Sequence, residues 1–472
     1  MCDPAKQEQR TSPRLSEPSQ RMPRVLIVCP SFVPINAADM QRVRISLAHF
    51  RDFGWDPILL TVDPEYVEGV TDPVLVHTLP PEVPIFRVRA LPARWTRKVG
   101  LGNLGLRALP FLYREGRRLI RQFGISLTYF STTVFPAMAL GRLWKEELNV
   151  PFVLDMHDPW VSDYYEGRGK EALPPKFWFM NKVHRILEPW TMKEVDGLIA
   201  VSGGYVETLT QRYPWLTRKP SLVLPFGAAE NDFEVLRVQR QQNRFFKRGD
   251  APTFHCVYAG CAPSAMTPAL HIIFGAFKRG LEQSPELFSR VQFHFIGTDY
   301  APDARSKKSV APIALEYGVS SHVHESPQRI PYFEALQLLL DSDFLLIPGS
   351  DDPQYSASKI SPYILARKPL LCVFHESSNV CDTMERLQAG TLLKFRTERP
   401  ANSYCDELYE LWVDLLSRLP YAPRTDWNAF RPFGAREGTR MQCRIFDQVT
   451  VNSVAGNASQ PLADISVEGV IR

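Results

Sequence analysis

No Cys-x-x-Cys pair occurs among the eight cysteines, no uninterrupted apolar segment approaches ~18 residues, and 55 Lys and Arg nearly balance 51 Asp and Glu over 472 residues. The first absence removes a dithiol redox motif and a paired-cysteine zinc site. Most cysteines instead lie in apolar runs, such as Val25 to Cys29 and Leu370 to Phe374, and read as reduced core residues of a cytosolic protein. The second absence predicts no transmembrane helix. Residues 1–23 are polar and proline-bearing and lack the apolar stretch of a secretion signal. The third leaves a net charge of +4, too small for wholesale nucleic-acid binding, so any electrostatic message sits in local clusters. What is abundant is proline, 40 residues in 472, above a usual share of ~5%. Such a surplus predicts many strand-to-helix connections that stop sharply. At 44% hydrophobic and 22% charged residues the composition is that of a soluble globular chain, and its length allows roughly two to four domains.

The chain alternates short apolar runs with longer amphipathic ones. Val25 to Cys29 reads as a buried strand, Asp39 to Phe53 as a helix stopped by Gly54, and Pro57 to Thr61 as the next strand. The alternation returns with strands at 127–130, 152–154 and 197–201 and helices at about 136–148 and up to Tyr213. It breaks into a polar, basic stretch from about Ser221 to Asp250 and then restarts. The second series has strands at His255 to Gly260, Val291 to Gly297, Val323, Phe344 to Pro348 and Leu370 to Phe374. Its helices fall near 268–283, 311–317, 331–340 and 356–367. Repeated strand-helix-strand order implies parallel sheets covered on both faces, hence two consecutive doubly wound α/β domains. In such sheets ligands sit beyond the carboxyl ends of the strands, so the residues just after each strand carry the functional information.

Two post-strand segments stand out. After the strand at 152–154, Asp155, His157 and Asp158 place carboxylates and an imidazole at the sheet edge, where they can bond sugar hydroxyls; His157 can also accept a proton. Equally, Asp155 caps a turn and His157 is a satisfied interdomain residue. Ser356-Ala-Ser-Lys359 opens a helix after a polar loop, and a helix start with hydroxyls and a lysine suits a diphosphate, unless it is a serine cap with a solvated lysine.

Together the pieces Val25 to Pro34 with Arg42, Val153 to Trp160, Val195 to Ser202, Arg329 to Tyr332, Ser342 to Pro348 and Ser356 to Pro369 resemble, in order, the GT-B glycosyltransferases. The resemblance spans about residues 24–448 and is greatest to the retaining bacterial group 1 (GT4-like) nucleotide-sugar transferases. It implies two Rossmann-like domains facing a central cleft. The layout would be a disordered tail 1–23, an acceptor-side domain 24–226, a nucleotide-sugar donor domain 227–430, a C-terminal helix 431–450 packing back toward the first domain, and a disordered tail 451–472. Asp155, His157 and Asp158 would be catalytic. Gly260, Gln354, Ser356, Ser358, Lys359 and Arg329 would bind the donor, and Asn36 and Asp39 would either meet the acceptor or cap their helix.

The family usually carries two glutamates eight positions apart on the donor segment; here those places hold Gln354 and Pro362. An arginine and a lysine usual after the first donor-domain strand are replaced in Cys261-Ala-Pro-Ser-Ala-Met-Thr267. Asp351 and Asp352 form a solvated turn rather than a metal site, since a GT-B enzyme stabilises its leaving diphosphate with helix ends and basic side chains. No metal and no cofactor beyond the nucleotide-sugar co-substrate is expected.

Ten basic residues lie between Arg87 and Arg121, with only Glu115 against them and Trp95, Leu101, Leu104, Leu106, Leu109, Phe111, Leu112 and Tyr113 interleaved. This suits an anionic membrane surface. A solvated helical face is the alternative, and nucleic acid lacks a motif. The expected function is transfer of a sugar from a nucleotide diphosphate-sugar to a glycan or lipid-linked acceptor, with retention, in the cytoplasm or at the inner face of its membrane. A nucleotide-sugar epimerase on the same fold and a catalytically silent scaffold are the rivals.

Overall fold

The computed structural model describes residues 22–97, 101–161, 177–247, 253–299, 306–351 and 359–455. Its strands are β1 (Arg24–Val28), β2 (Asp56–Val62), β3 (Ile85–Val88), β4 (Leu127–Ser131), β5 (Phe152–Met156), β6 (Gly197–Ala200) and β7 (Ser221–Val223), then β8 (Phe254–Ala259), β9 (Val291–Ile296), β10 (Val323–Ser326), β11 (Phe344–Pro348), β12 (Leu370–His375) and β13 (Thr391–Phe395). The first seven form one parallel sheet in the order β3-β2-β1-β4-β5-β6-β7, and the remaining six a second in the order β10-β9-β8-β11-β12-β13. The direction of winding reverses between β1 and β4 and between β8 and β11, which opens a crevice at the carboxyl edge of each sheet.

Period-2 burial explains the continuous apolar strands. Val25 and Ile27 of β1, with Cys29 just after it, enter one core, while Leu26 and Val28 enter another on the opposite face. The first of these cores runs on into the second domain. The helix Ala435–Ala455 makes that continuity, since Phe446 packs on Phe50, Trp55 and Tyr129 of the first domain at centroid distances of 6.0, 5.4 and 5.1 Å. It reaches five residues into the segment expected to be a tail. The chain thus crosses twice between the domains, and the two crossings pair: Ala228 N–H donates to the Phe433 carbonyl at 2.7 Å.

The segment expected as one helix from Asp39 to Phe53 is an α-helix Met40–Ser46 followed by a 3-10 turn Phe50–Phe53, ending at Gly54 with φ of 83°. Phe50 is thereby turned fully inward onto Phe446. The basic segment contributes a helix of its own. The helix Leu104–Phe123 buries Ala108, Leu112, Leu119 and Ile120 in the core beside β2. Arg107 is buried and donates to the Leu91 and Tyr66 carbonyls, while Arg117 and Arg121 pair with Glu147 and Arg118 with Glu115. Arg87, Arg89, Arg94 and Arg114 remain exposed. Among the described residues no helix is long and apolar enough to cross a membrane.

Gly116 lets this helix close on the helix Ala139–Leu148. A Cβ there would lie 2.2 Å from the ring of buried Trp144, which stacks in turn on Phe130. Helix propensity favours alanine over glycine by ~1 kcal/mol, but overpacking against a rigid core typically costs 1–3 kcal/mol. Gly116→Ala is therefore expected to lower stability by up to about 2 kcal/mol in urea unfolding. A change within about 0.3 kcal/mol would mean that the indole simply moves aside.

Candidate active site

The first-domain site is built where β1, β4 and β5 end. Asp155, the fourth residue of β5, is fully buried, and its Oδ2 collects four contacts: Tyr129 Oη donates at 2.7 Å, Ser131 Oγ at 2.9 Å, His157 Nε2 lies at 2.9 Å and Arg42 Nε at 2.8 Å. The Arg42 contact is an ion pair whose N–H is not aligned as a hydrogen bond. Burial alone pushes the Asp155 carboxyl up, but Arg42, His157 and the Tyr129 hydroxyl outweigh it and hold the group well below the usual carboxylate range. Asp155 is thus a permanent anion at the centre of a buried network.

His157 is 4% exposed, also lies 3.1 Å from Ser131 Oγ, and meets the Phe226 ring edge-on at 5.1 Å. Its Nδ1 is buried without a partner. With Nε2 facing a carboxylate oxygen, a ring in its neutral form would carry its proton there and present Nδ1 as a lone-pair acceptor. Asp158 is exposed, and partial desolvation pushes its carboxyl up, against the pull of His157.

Asp39 stands at the N-cap position of its helix but makes no capping bond. It accepts instead from the Thr132 hydroxyl at 2.7 Å and the Thr133 N–H at 3.0 Å, tying the β1 loop to the end of β4. Asn36 Oδ1 accepts from Gln41 Nε2 at 3.3 Å. Neither residue caps the helix.

The second-domain site is built from β8, β9 and the short helix Ile360–Leu365. Buried Tyr363 of that helix accepts the Ala259 N–H through its hydroxyl at 2.7 Å, which fixes the helix start over the end of β8. Lys359 immediately precedes the helix, and a Cβ on Gly260 would lie 2.2 Å from its Nζ. Gly260 is therefore glycine because the ammonium occupies the space of a side chain. Burial lowers the Lys359 pKa to about 8, the neighbouring Cys261 acts against this, and Arg329 adds to it. Among the described residues no carboxylate pairs with Lys359; its amine lies 5.8 Å from the centre of the Tyr258 ring. Two cations facing the carboxyl ends of β8 and β9 form an anion-binding arrangement.

Gly260, Lys359 and Arg329 are brought together, as are Asp155, His157 and, on the adjoining loop, Asp39. Gln354, Ser356 and Ser358, like Asp352, lie outside the described residues. Asp351 N–H donates to the Ala265 carbonyl at 2.8 Å. Among the described residues no group of three His, Cys, Asp or Glu is placed to hold a metal ion. Ser131, the last residue of β4, and Arg42, on the helix after β1, join this edge without any local pattern that pairs them with Asp155.

Residues 41–227 match the family model of the glycosyl transferase 4-like domain. The chain as a whole has the GT-B fold, and its first domain is similar to that glycosyl transferase family. Similar solved structures include the Anabaena protein HepE in complex with UDP, 15% identical, covering 92% of this chain and 98% of that one with a TM-score of 0.50. The α,α-trehalose 6-phosphate synthase of Burkholderia multivorans is 13% identical over 93% of this chain and 100% of that one, with a TM-score of 0.55. A Rickettsia africae glycosyltransferase is 10% identical over 91% and 99%, with a TM-score of 0.52. No curated protein sequence matches the chain.

Proposed function

We propose that this protein is a glycosyltransferase that moves a sugar from a nucleotide diphosphate-sugar to a hydroxyl of a glycan or lipid-linked acceptor, with retention and without a metal, in the cleft between its two sheets. The observation that carries the reading is Lys359 held over Gly260 beside Arg329, a pair of cations with no carboxylate on the lysine among the described residues. As the bond from the anomeric carbon to the diphosphate breaks and one to the acceptor oxygen forms, negative charge gathers on the departing diphosphate. Fixed cations there stabilise that charge without a metal. That the similar HepE structure is a complex with UDP supports a nucleotide as a ligand of this chain. His157 Nδ1 accepts a hydroxyl of the transferred sugar or the acceptor, and Asp155 keeps that nitrogen free rather than touching substrate itself. Asp158, Asn36 and Asp39 border the acceptor side, and Gln354, Ser356 and Ser358 complete the donor side. A cytoplasmic location at an anionic membrane face would use exposed Arg87, Arg89, Arg94 and Arg114 together with Trp95, which is 66% exposed.

Screening nucleotide-sugars by thermal shift identifies the donor, since a ligand of the folded state raises its stability. With donor and acceptor in hand, His157→Ala is expected to keep the fold and cut transfer at least tenfold, about 1.4 kcal/mol of transition-state stabilisation. Activity within twofold of the parent would remove His157 from the site. Donor turnover without any acceptor would replace transfer by epimerisation, and no nucleotide-dependent shift would leave a silent scaffold.

A further inference from the structure

One guanidinium holds both sides of the His157 ring. Arg42 is 2% exposed and lies on the helix Met40–Ser46, with Nε 2.8 Å from Asp155 Oδ2. Its other two nitrogens donate to the carbonyls of the outgoing crossing, at 2.5 Å to Leu224 and 3.3 Å to Pro225. Its Cζ lies over the Phe226 ring, 5.2 Å from the ring centre, and that ring meets His157 at 5.1 Å. Asp155 fixes the imidazole through Nε2, and Phe226 fixes its face.

From this arrangement we infer that Arg42 is a positioning residue that sets the orientation of His157 from the interdomain crossing Leu224–Phe226. This rests on the reading of His157 as a substrate-facing residue. A buried guanidinium needs a counter-ion and filled donors; Asp155 supplies the first and the crossing carbonyls the second. Hydrogen bonds weaken steeply as they lengthen or bend, so a displacement of the crossing is passed to Arg42, to Asp155 and to the imidazole. A relative rotation of the domains that moves Leu224–Phe226 would therefore reorient His157 Nδ1. Lysine cannot take the place of Arg42, because a single ammonium does not reach a carboxylate and two carbonyls in fixed directions.

The test uses two variants, Arg42→Lys and Phe226→Leu, the second leaving the ion pair intact. Imidazole nitrogen shifts of 15N-histidine-labelled full-length protein, with His157 assigned by its loss in His157→Gln, report ring tautomer and environment. The parent is expected to show the Nε2-protonated form. Both variants should shift the His157 signals and lower kcat about tenfold while nucleotide affinity, set in the other domain, stays within twofold. Unchanged His157 signals in both would overturn the inference. Signals that move in Arg42→Lys alone would overturn it too, reducing Arg42 to a local counter-ion of Asp155. Should Arg42→Lys fail to fold, Phe226→Leu decides alone. Failure of the substrate-facing reading is recognised separately, as full transfer activity in His157→Ala.

Discussion

Asp232→Ala is expected to lower unfolding free energy by about 3–5 kcal/mol, the range for stranding one partner of a buried ion pair. Asp232 sits on the helix Glu230–Val238 just past the outgoing crossing, and its two oxygens each meet an Arg44 guanidinium nitrogen at 2.6 Å. Both side chains are at most 2% exposed. Tyr332 of the second domain donates its hydroxyl to the same carboxylate at 2.7 Å and lies 5.3 Å beneath the guanidinium. Burial lowers the Arg44 pKa, yet the Asp232 charge and hydrogen bonds win and raise it. The loss would thus leave a charged guanidinium with no counter-ion and an unpaired phenol.

The effect should be larger than that of a surface pair because the latch joins three bodies: the first-domain helix at Arg44, the crossing helix at Asp232 and the second-domain helix Tyr332–Asp341. That last helix begins after Pro331, which offers no side-chain acceptor, so Asp72 of the first domain receives the Phe333 N–H at 2.9 Å. Arg44→Met combined with Asp232→Leu removes both charges and should cost much less than either single change, giving a coupling energy of about 2 kcal/mol or more in a double-mutant cycle. Guanidinium-induced unfolding of Asp232→Ala should also separate into two transitions as the sheets lose their coupling. A loss under 1 kcal/mol would mean that water reaches Arg44 and solvates it.

How much of this was legible depends on where each strand lies. Central strands β1, β2, β4, β5, β8, β9, β11 and β12 are buried on both faces, so their apolar runs stand out against polar neighbours. Edge strands β3 and β13 do not: Ile85–Val88 is half-buried with Arg87 exposed, and Thr391–Phe395 exposes Lys394, so neither forms an apolar run that stands out in the sequence. Periodicity gives the apolar face of the helix Leu104–Phe123 without saying what covers it, and in the fold the core covers Ala108, Leu112, Leu119 and Ile120. In the site, strand-end residues such as His157 and Gly260 could be located, because parallel topology sends them to one edge. Their partners could not. Arg42, Tyr129 and Ser131 reach Asp155 from three different elements, and Asp72 and Asp232 act across a domain boundary that no local pattern encodes.

Lys359→Met is expected to weaken binding of a nucleoside diphosphate by about 1–3 kcal/mol, roughly 5- to 150-fold in Kd, the size of a charge-assisted hydrogen bond in a desolvated site. The pH dependence is the sharper test. Burial brings the Lys359 pKa down to about 8, with Cys261 opposing and Arg329 adding to the shift, so in the free protein the amine titrates near pH 8 rather than near ~10.4. A bound diphosphate favours the ammonium. Affinity should therefore be highest below pH 8 and fall as pH rises through it, with proton uptake on binding near pH 8 measurable by calorimetry in buffers of different ionisation enthalpy. Stability runs the other way. Because the folded pKa is lowered, the charged lysine imposes a destabilisation that is full below pH 8 and fades as pH rises from 8 to ~10.4. Lys359→Met should thus raise the Tm of the unliganded protein at pH 7 while weakening the ligand, and its stability advantage should shrink toward pH 10. A strained charge kept where it destabilises the empty fold is what a diphosphate site requires. Unchanged Kd in a folded variant, or parent binding that is flat from pH 7 to about 9, would take Lys359 out of the site.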